Sequence, residues 1–378
     1  MKIRMFYPSM VSEWNFAGAG FLRGMVSEFL HRGEDVKVFE PVRSECIENL
    51  VACYGDAPVK EFKSFYNNRL ISNFYETEKF QPEEILDDCD LVIVHVRTDP
   101  EIIRKIGEHR KANPFYKLLF HDSSHKVMTE KEGSVIASLQ NYDGVLAGCN
   151  YLREMYLKNG WADKAWVWHE AVDSRIFYPR ESESKEGDLV CVGNWGNGER
   201  FDGLKNFFLK PAERLQVSST LYGVGYPEDF IKKCDSCNIT FKEWIAAYKI
   251  PHVFAGHSVA VHIPKKSYLE SVPGKPANGI FEAMACGIPV VSAPWEDTDG
   301  LFAQGLDYIV ADAREIESKI QELLLDKERA AETARNGLRV INKKHTCWHR
   351  LKTLFKICRQ LGMEIQDELG GRREQYAA

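Results

Sequence analysis

Apolar and polar positions along the chain fall into two alternating kinds of block. Short, nearly continuous apolar runs, such as Asp90–Val96 (DLVIVHV) and Lys117–Phe120, predict strands buried on both faces, the signature of a parallel sheet. Between them lie stretches with apolar residues at helical spacing. Ile3–Tyr7 predicts a first strand, Phe21, Met25, Phe29 and Leu30 place a helix over Gly20–Arg32 that stops at Gly33, and Asp35–Phe39 predicts a second strand. Gly144–Ala147 adds a strand, followed by a helix over Asn150–Lys158.

The polar segment Asp173–Gly187, ending in PRESESKEG, interrupts this pattern and reads as a linker. The alternation then restarts, with strands at Asp188–Val192, Thr220–Tyr222, Val259–Ile263 and Ile288–Ser292 and a helix over Arg200–Arg214. From Asp312 onward the chain is mostly helical. The whole predicts an α/β protein of two Rossmann-like, doubly wound domains, 1–172 and 188–345, joined by the linker 173–187. Ligands of such sheets bind beyond the carboxyl ends of the strands, so the site is expected in the cleft where the two domains face each other.

Residues 279–292, GIFEAMACGIPVVS, narrow the chemistry. A helix predicted over Pro276–Cys286 stops at Gly287 and turns its Phe281, Met284 and Ala285 inward, and Glu282 does not belong on that face. A carboxylate early in a helix that opens into a cleft can accept two hydrogen bonds from a ribose diol. The free N–H groups of the same helix start, around Asn278 and Gly279, suit a diphosphate, and Lys275 would add positive charge beside it. Two Gly-rich turns follow the first strand of each half. Phe16-Ala17-Gly18-Ala19-Gly20 lets backbone approach a ligand in the first half, with Gly18 and Gly20 as its candidates. In the second, Gly193 and Asn194 open a turn that leads to Arg200, whose guanidinium suits diphosphate oxygens, with Lys205 a weaker second choice. In the first half His95 and His121-Asp122 end apolar strands, where cleft residues sit. A neutral imidazole or a carboxylate there could accept a proton from an acceptor hydroxyl; His125 is close by.

These strings resemble the CgeB-like glycosyltransferases, a GT-B family named for a spore-maturation protein. The likeness is carried by GIFEAMACGIPVVS, by SAPWEDTDGLFAQGLDYIVADAREIE and HTCWHRLKTL after it, and by MVSEWNFAGAGFLRGMVSEFLHRGEDVKVFEP, LLFHDSSHK and WHEAVDSRIFYP before it. The resemblance implies a transferase moving a sugar from a nucleoside diphosphate donor, UDP-linked, to a hydroxyl acceptor on a glycan, lipid or protein, with retention at the anomeric carbon. It implies that Glu282 holds the ribose, that a basic residue follows the turn at Gly193, and that a histidine at the position of His121 contacts the transferred sugar. His169 and Glu170 match the family pattern at the hinge side of the cleft. The last helix, Cys347–Leu361 within 346–378, is expected to cross back onto the first domain. The sequence departs from better-known retaining relatives at Gly274, where they carry a second Glu. A nucleotide-sugar epimerase of the same fold, or a nucleotide-sugar-binding module without turnover, are the alternatives.

Composition bounds the rest. The chain has 378 residues, 44% hydrophobic and 28% charged, the profile of a globular protein long enough for two domains. A net charge of -6 without a basic block argues against nucleic acid as a partner. The absence of a long apolar run and of a leader-like start points to the cytoplasm. Asp297-Thr298-Asp299 has the DxD spelling of a metal site but reads as a polar turn, and no metal or cofactor is expected. Ten scattered cysteines read as reduced thiols, and Cys234 and Cys237 lack the further ligands of a zinc site.

Overall fold

The computed structural model describes residues 1–14, 16–123, 133–182 and 184–366; His125 lies outside them. The first sheet is built from β1 (Lys2–Phe6), β2 (Asp35–Pro41), β3 (Ser72–Tyr75), β4 (Leu91–His95), β5 (Lys117–Asp122), β6 (Gly144–Ala147) and β7 (Ala165–Val167). Its order is β3-β2-β1-β4-β5-β6-β7, and every pairing is parallel. All five residues of β4 are buried, as a strand covered on both faces requires. The second sheet uses β8 (Gly187–Val192), β9 (Ser219–Tyr222), β10 (Ile239–Lys242), β11 (His257–His262), β12 (Val290–Ser292) and β13 (Ile309–Val310). Its order is β10-β9-β8-β11-β12-β13, again all parallel. In each sheet the order reverses beside the first strand, between β1 and β4 and between β8 and β11. These are the switch points at which the connections leave in opposite directions and open a crevice.

The first three helices of the first half are α1 (Ala19–His31), α2 (Glu45–Tyr54) and α3 (Ala57–Phe65). The closing helix, Cys347–Gln360, packs on the first half. Its Leu351, Leu354 and Phe355 join one core with Met25 and Phe29 of α1. Two crossings connect the halves, at 169–173 and at 344–347, and they run side by side. Cys347 N donates to Val172 O at 2.8 Å and Val172 N to His345 O at 3.1 Å. Buried Arg350 pins both, donating to His169 O (2.7 Å), Glu170 O (3.3 Å) and Lys344 O (3.0 Å). A long cation suits this place because its rigid fork of donors satisfies backbone carbonyls that neither sheet can pair.

A second contact joins the halves away from the hinge. The segment after β10 packs into the first half's core through Ala246 and Tyr248. Tyr248 stacks on Phe65 of α3 at 4.1 Å, Lys249 pairs with Glu61 at 2.6 Å, and Tyr54 of α2 donates to Glu243 at 2.7 Å. Cleft, hinge and this strap thus form a closed arrangement.

Candidate functional site

The cleft opens at the β8/β11 switch point. Gly193, Asn194 and Arg200 line it after β8, His262 and Lys265 after β11, Trp244 and Ile245 after β10, and Asn278, Gly279 and Glu282 from the helix Asn278–Ala285. From the first half, Glu13, Phe16 and Ala17 close the opposite wall.

The turn after β8 is built to carry Arg200. Gly193 N donates to Tyr222 O at 2.9 Å, Tyr226 Oη donates to Gly193 O at 2.6 Å, and Asn194 Oδ1 accepts from Val224 N at 3.2 Å. The guanidinium reaches over Gly193 with its Nη1: a Cβ there would sit 1.6 Å from that atom, so only glycine allows this approach. Arg200 precedes a helix that runs from Phe201 to Leu215 but passes through one π-helical turn, Lys205–Leu209. Lys205 is not on the cleft wall. Lys265 takes the second cationic position instead, its Cε 3.9 Å from the point a Cβ on Gly196 would occupy. Burial holds the Lys265 ammonium below its ordinary value, and nearby Arg200 and Lys275 act in the same direction against Tyr268 and Glu199.

The helix that carries Glu282 begins at Asn278, two residues later than its sequence pattern suggests, and ends before Gly287, whose φ is +67. Phe281, Met284 and Ala285 are buried, as expected, and Glu282 points into the cleft. Its carboxylate receives no hydrogen bond or ion pair among the described residues. Burial, and then the neighbouring Glu13, push it up to about 7, against the opposing effect of Arg23. Asn278 Nδ2 donates to Ala17 O at 2.9 Å, tying the helix start to the Gly-rich turn of the first half. Gly18 and Gly20 lie at this seam. A Cβ on Gly18 would meet Glu170 Oε1 at 3.5 Å, and one on Gly20 would meet Glu282 Oε1 at 3.7 Å.

Lys275, expected beside the diphosphate, is placed elsewhere. It is buried, donates to Ser123 O across the cleft, lies 4.0 Å from Glu170 Oε2 and sits over the Tyr268 ring at 4.4 Å. Burial pushes Glu170 up despite Lys275 and a hydrogen bond with Asn278. His169 Nε2 pairs with Asp299 Oδ2 at 2.7 Å, and Asp299 also accepts from Asn150 N at 2.9 Å, the first residue of the helix Asn150–Lys158. Asp297 accepts from Phe302 N at 2.8 Å. The DxD spelling is therefore used for contacts within the protein. Among the described residues no group of three His, Cys, Asp or Glu is arranged to hold a metal ion, and Cys234 and Cys237 are buried thiols. Gly274 has φ +83, and a Cβ there would lie 1.8 Å from Thr298 Oγ1, so this backbone takes no acid at that position.

His95, His121 and Asp122 stand at strand ends as expected, but behind the wall. His121 is 1% exposed, with Nδ1 at 2.8 Å from Tyr7 Oη and its ring edge-on to Trp168 at 4.8 Å. His95 is stacked on Tyr7 at 4.9 Å and covered by Phe16 at 5.2 Å, while its Nε2 lies 3.0 Å from Ser123 Oγ. Asp122 is fully buried and accepts from Tyr156 Oη at 2.9 Å. The physical reason is Phe16, which lines the cleft and packs edge-on against His95, placing this aromatic layer behind it. Burial, with Lys275 nearby, drops His121 to about 3, so it is neutral at physiological pH. Sequence reasoning missed Lys265 and His262. His262 ends β11 on the cleft wall, its Nδ1 2.9 Å from Ser292 Oγ and its Nε2 buried without a partner among the described residues. The strand-end signal that singled out His121 applies equally to His262.

Known proteins share this fold. Residues 200–356 match a family model described as glycosyl transferase-like. Among solved structures, an alpha-glucosyltransferase in complex with UDP aligns with a TM-score of 0.69 at 14% identity, over 95% of this chain and 100% of its own. HepE of Anabaena in complex with UDP aligns at 0.68 and 14%, over 95% and 100%. Sucrose-phosphate synthase of Thermosynechococcus elongatus aligns at 0.62 and 13%, over 96% and 99%. Some of the alpha-glucosyltransferase complexes also contain DNA. No curated protein matches the sequence. The fold is GT-B, two Rossmann-like domains facing one cleft. No helix among the described residues is long and apolar enough to cross a membrane.

Proposed function

We propose that this protein is a glycosyltransferase that moves a sugar from a UDP-linked donor to a hydroxyl acceptor, without a metal ion and with retention of configuration. One observation carries the reading. Glu282, a carboxylate with no protein donor among the described residues, shares a cleft with Arg200, Lys265 and the start of its own helix at the β8/β11 switch point. Unpaired acceptors at one end and cations with free N–H groups at the other suit a nucleoside diphosphate, whose diol donates and whose phosphates accept. In the transfer the departing diphosphate gains negative charge. Arg200 and Lys265, fixed before the reaction, would stabilise that charge in place of a divalent ion. The family model over 200–356 and the UDP complexes of the neighbours support the class. The net charge of -6 favours a glycan, lipid or protein hydroxyl over nucleic acid as the acceptor.

Calorimetry with UDP tests the donor site, since UDP at 100 times its Kd should also raise stability by about 2.7 kcal/mol in a thermal shift. A protein that binds no UDP or other nucleoside diphosphate would refute the reading. Turnover of a donor–acceptor pair should survive excess EDTA; loss with EDTA and recovery with Mn²⁺ would place a metal in the mechanism. The anomeric proton signal of the product reports retention or inversion.

A further inference from the structure

The first half contributes to the cleft a carboxylate that the donor site does not account for. Glu13 lies in the loop after β1 and lines the same cavity as Glu282. Its Oε1 accepts from Arg23 Nη2, and Arg23, which is 3% exposed on α1, is itself fixed by donating through Nη1 to Met10 O at 2.8 Å. Glu13 Oε2 is buried and has no hydrogen-bond partner among the described residues. Opposite stands Glu282, also without a donor. The two halves meet closely here: Arg23 Nη2 and Glu282 Oε1 are each 3.7 Å from the point a Cβ on Gly20 would occupy. Two carboxylates from different domains therefore face one space, and among the described residues three of their four oxygens lack donors.

Like charges held together this way raise the energy of the closed cleft unless something donates to both. A vicinal diol does so, since it brings two O–H donors and no charge. We propose that Glu13 and Glu282 form a two-domain clamp on the donor's ribose, Glu282 accepting one or both hydroxyls and Glu13 Oε2 accepting one from the other side. This rests on the donor-site reading and deepens it. Glu13 is here a binding residue: it makes closure of the cleft depend on the nucleoside being present, because its partner belongs to the other half.

Glu13→Gln is the informative variant. It retains Oε1 for Arg23 but replaces the acceptor Oε2 by an N–H donor. Affinity for UDP should fall about tenfold or more, the scale of one hydrogen bond to a charged acceptor. For 2′,3′-dideoxy-UDP, native protein and Glu13→Gln should bind alike, because the partner hydroxyls are gone. Unchanged UDP affinity, or an equal loss on both ligands, would overturn the clamp while leaving the donor site intact. Glu282→Gln gives an independent check that does not rely on Glu13→Gln folding. With a clamp, Glu282→Gln should still prefer UDP to its dideoxy form; if that preference vanishes, Glu13 contributes nothing and the proposal falls. Failure of native protein to bind UDP would instead remove the underlying donor reading, so the two failures are distinguishable.

Discussion

The two switch points of this molecule are built alike and used differently. Beside β1, the strand ends carry His95, His121 and Asp122, and the turn after β1 folds Phe16 over them. Beside β8, the strand ends carry Arg200's turn, His262 and Lys265, and all of them line the cleft. The same topology thus yields a filled crevice in one half and an open one in the other. The difference comes from the first loop. After β1 a large apolar side chain precedes the glycines and plugs the crevice. After β8 the glycine comes first, and a guanidinium lies on it. A strand end says where a crevice forms; the loop decides whether a ligand can reach it.

The largest effect that bears on this contrast belongs to the filled crevice. His121→Ala should remove a buried ring packed on Trp168 and Tyr7 and lower stability by about 3 kcal/mol, as truncation of large buried side chains does. UDP affinity should not change, and folded protein should keep its specific activity. Melting temperature, calorimetry and initial rates on the same preparation check this. A stable His121→Ala protein with turnover reduced about 10²–10⁴-fold, the scale of a general acid–base group, would instead return His121 to the reaction.

The corresponding test on the open crevice is Glu282→Ala. Here stability should barely move, while UDP affinity falls by about 1.5–3 kcal/mol, the range for hydrogen bonds to a charged group. The two variants should therefore give opposite patterns, one losing stability and the other affinity. If Glu282→Ala unfolds the protein or binds UDP normally, the two crevices are not divided as described.

Sequence patterning carried most of the architecture because parallel strands buried on both faces leave uninterrupted apolar runs, and because helices of α1's kind show their inward face at regular spacing. The helix Asn150–Lys158 coincides with its expected bounds for this reason. The start of the helix that carries Glu282 was less legible. Pro276 fits a first helical turn, yet the helix begins only at Asn278, while Lys275 just before it is drawn to Ser123 O of the first half. Glu282 was legible as a polar residue breaking an apolar face. Lys265 was not, because nothing local separates it from Lys266, which is exposed; only the path of the chain after β11 brings one of the two to the turn at Gly196. Lys275 shows the reverse: its charge was visible, but its partners, Ser123 O and Glu170, come from distant segments. The role of Phe16 as a plug depends likewise on residues scattered over β4, β5 and the loop before β8.

The smallest effect is a pH dependence confined to the open crevice. Glu282 sits at about 7 because burial and then Glu13 disfavour its charge more than Arg23 favours it. The ionised form accepts hydroxyl hydrogen bonds more strongly than the neutral acid, so affinity for UDP-glucose, which does not itself titrate in this range, should rise by up to about tenfold from pH 6 to a plateau near pH 8. Stability should run the other way. A carboxyl whose folded value lies above the unfolded 4.5 binds its proton more tightly when folded, so its contribution favours folding below 4.5 and is lost as pH climbs through about 7. The partly exposed position of the side chain keeps that second slope shallow. Subtracting the Glu282→Gln profiles from the native ones isolates the residue from other titrating groups. Native affinity that is flat from pH 6 to 8 would mean Glu282 is ionised throughout, and that the two carboxylates do not oppose each other across the closed cleft. Glu13→Gln sharpens the point: removing the neighbouring charge should move the midpoint of the affinity profile toward lower pH, whereas removing His121, in the filled crevice, should leave it where it is.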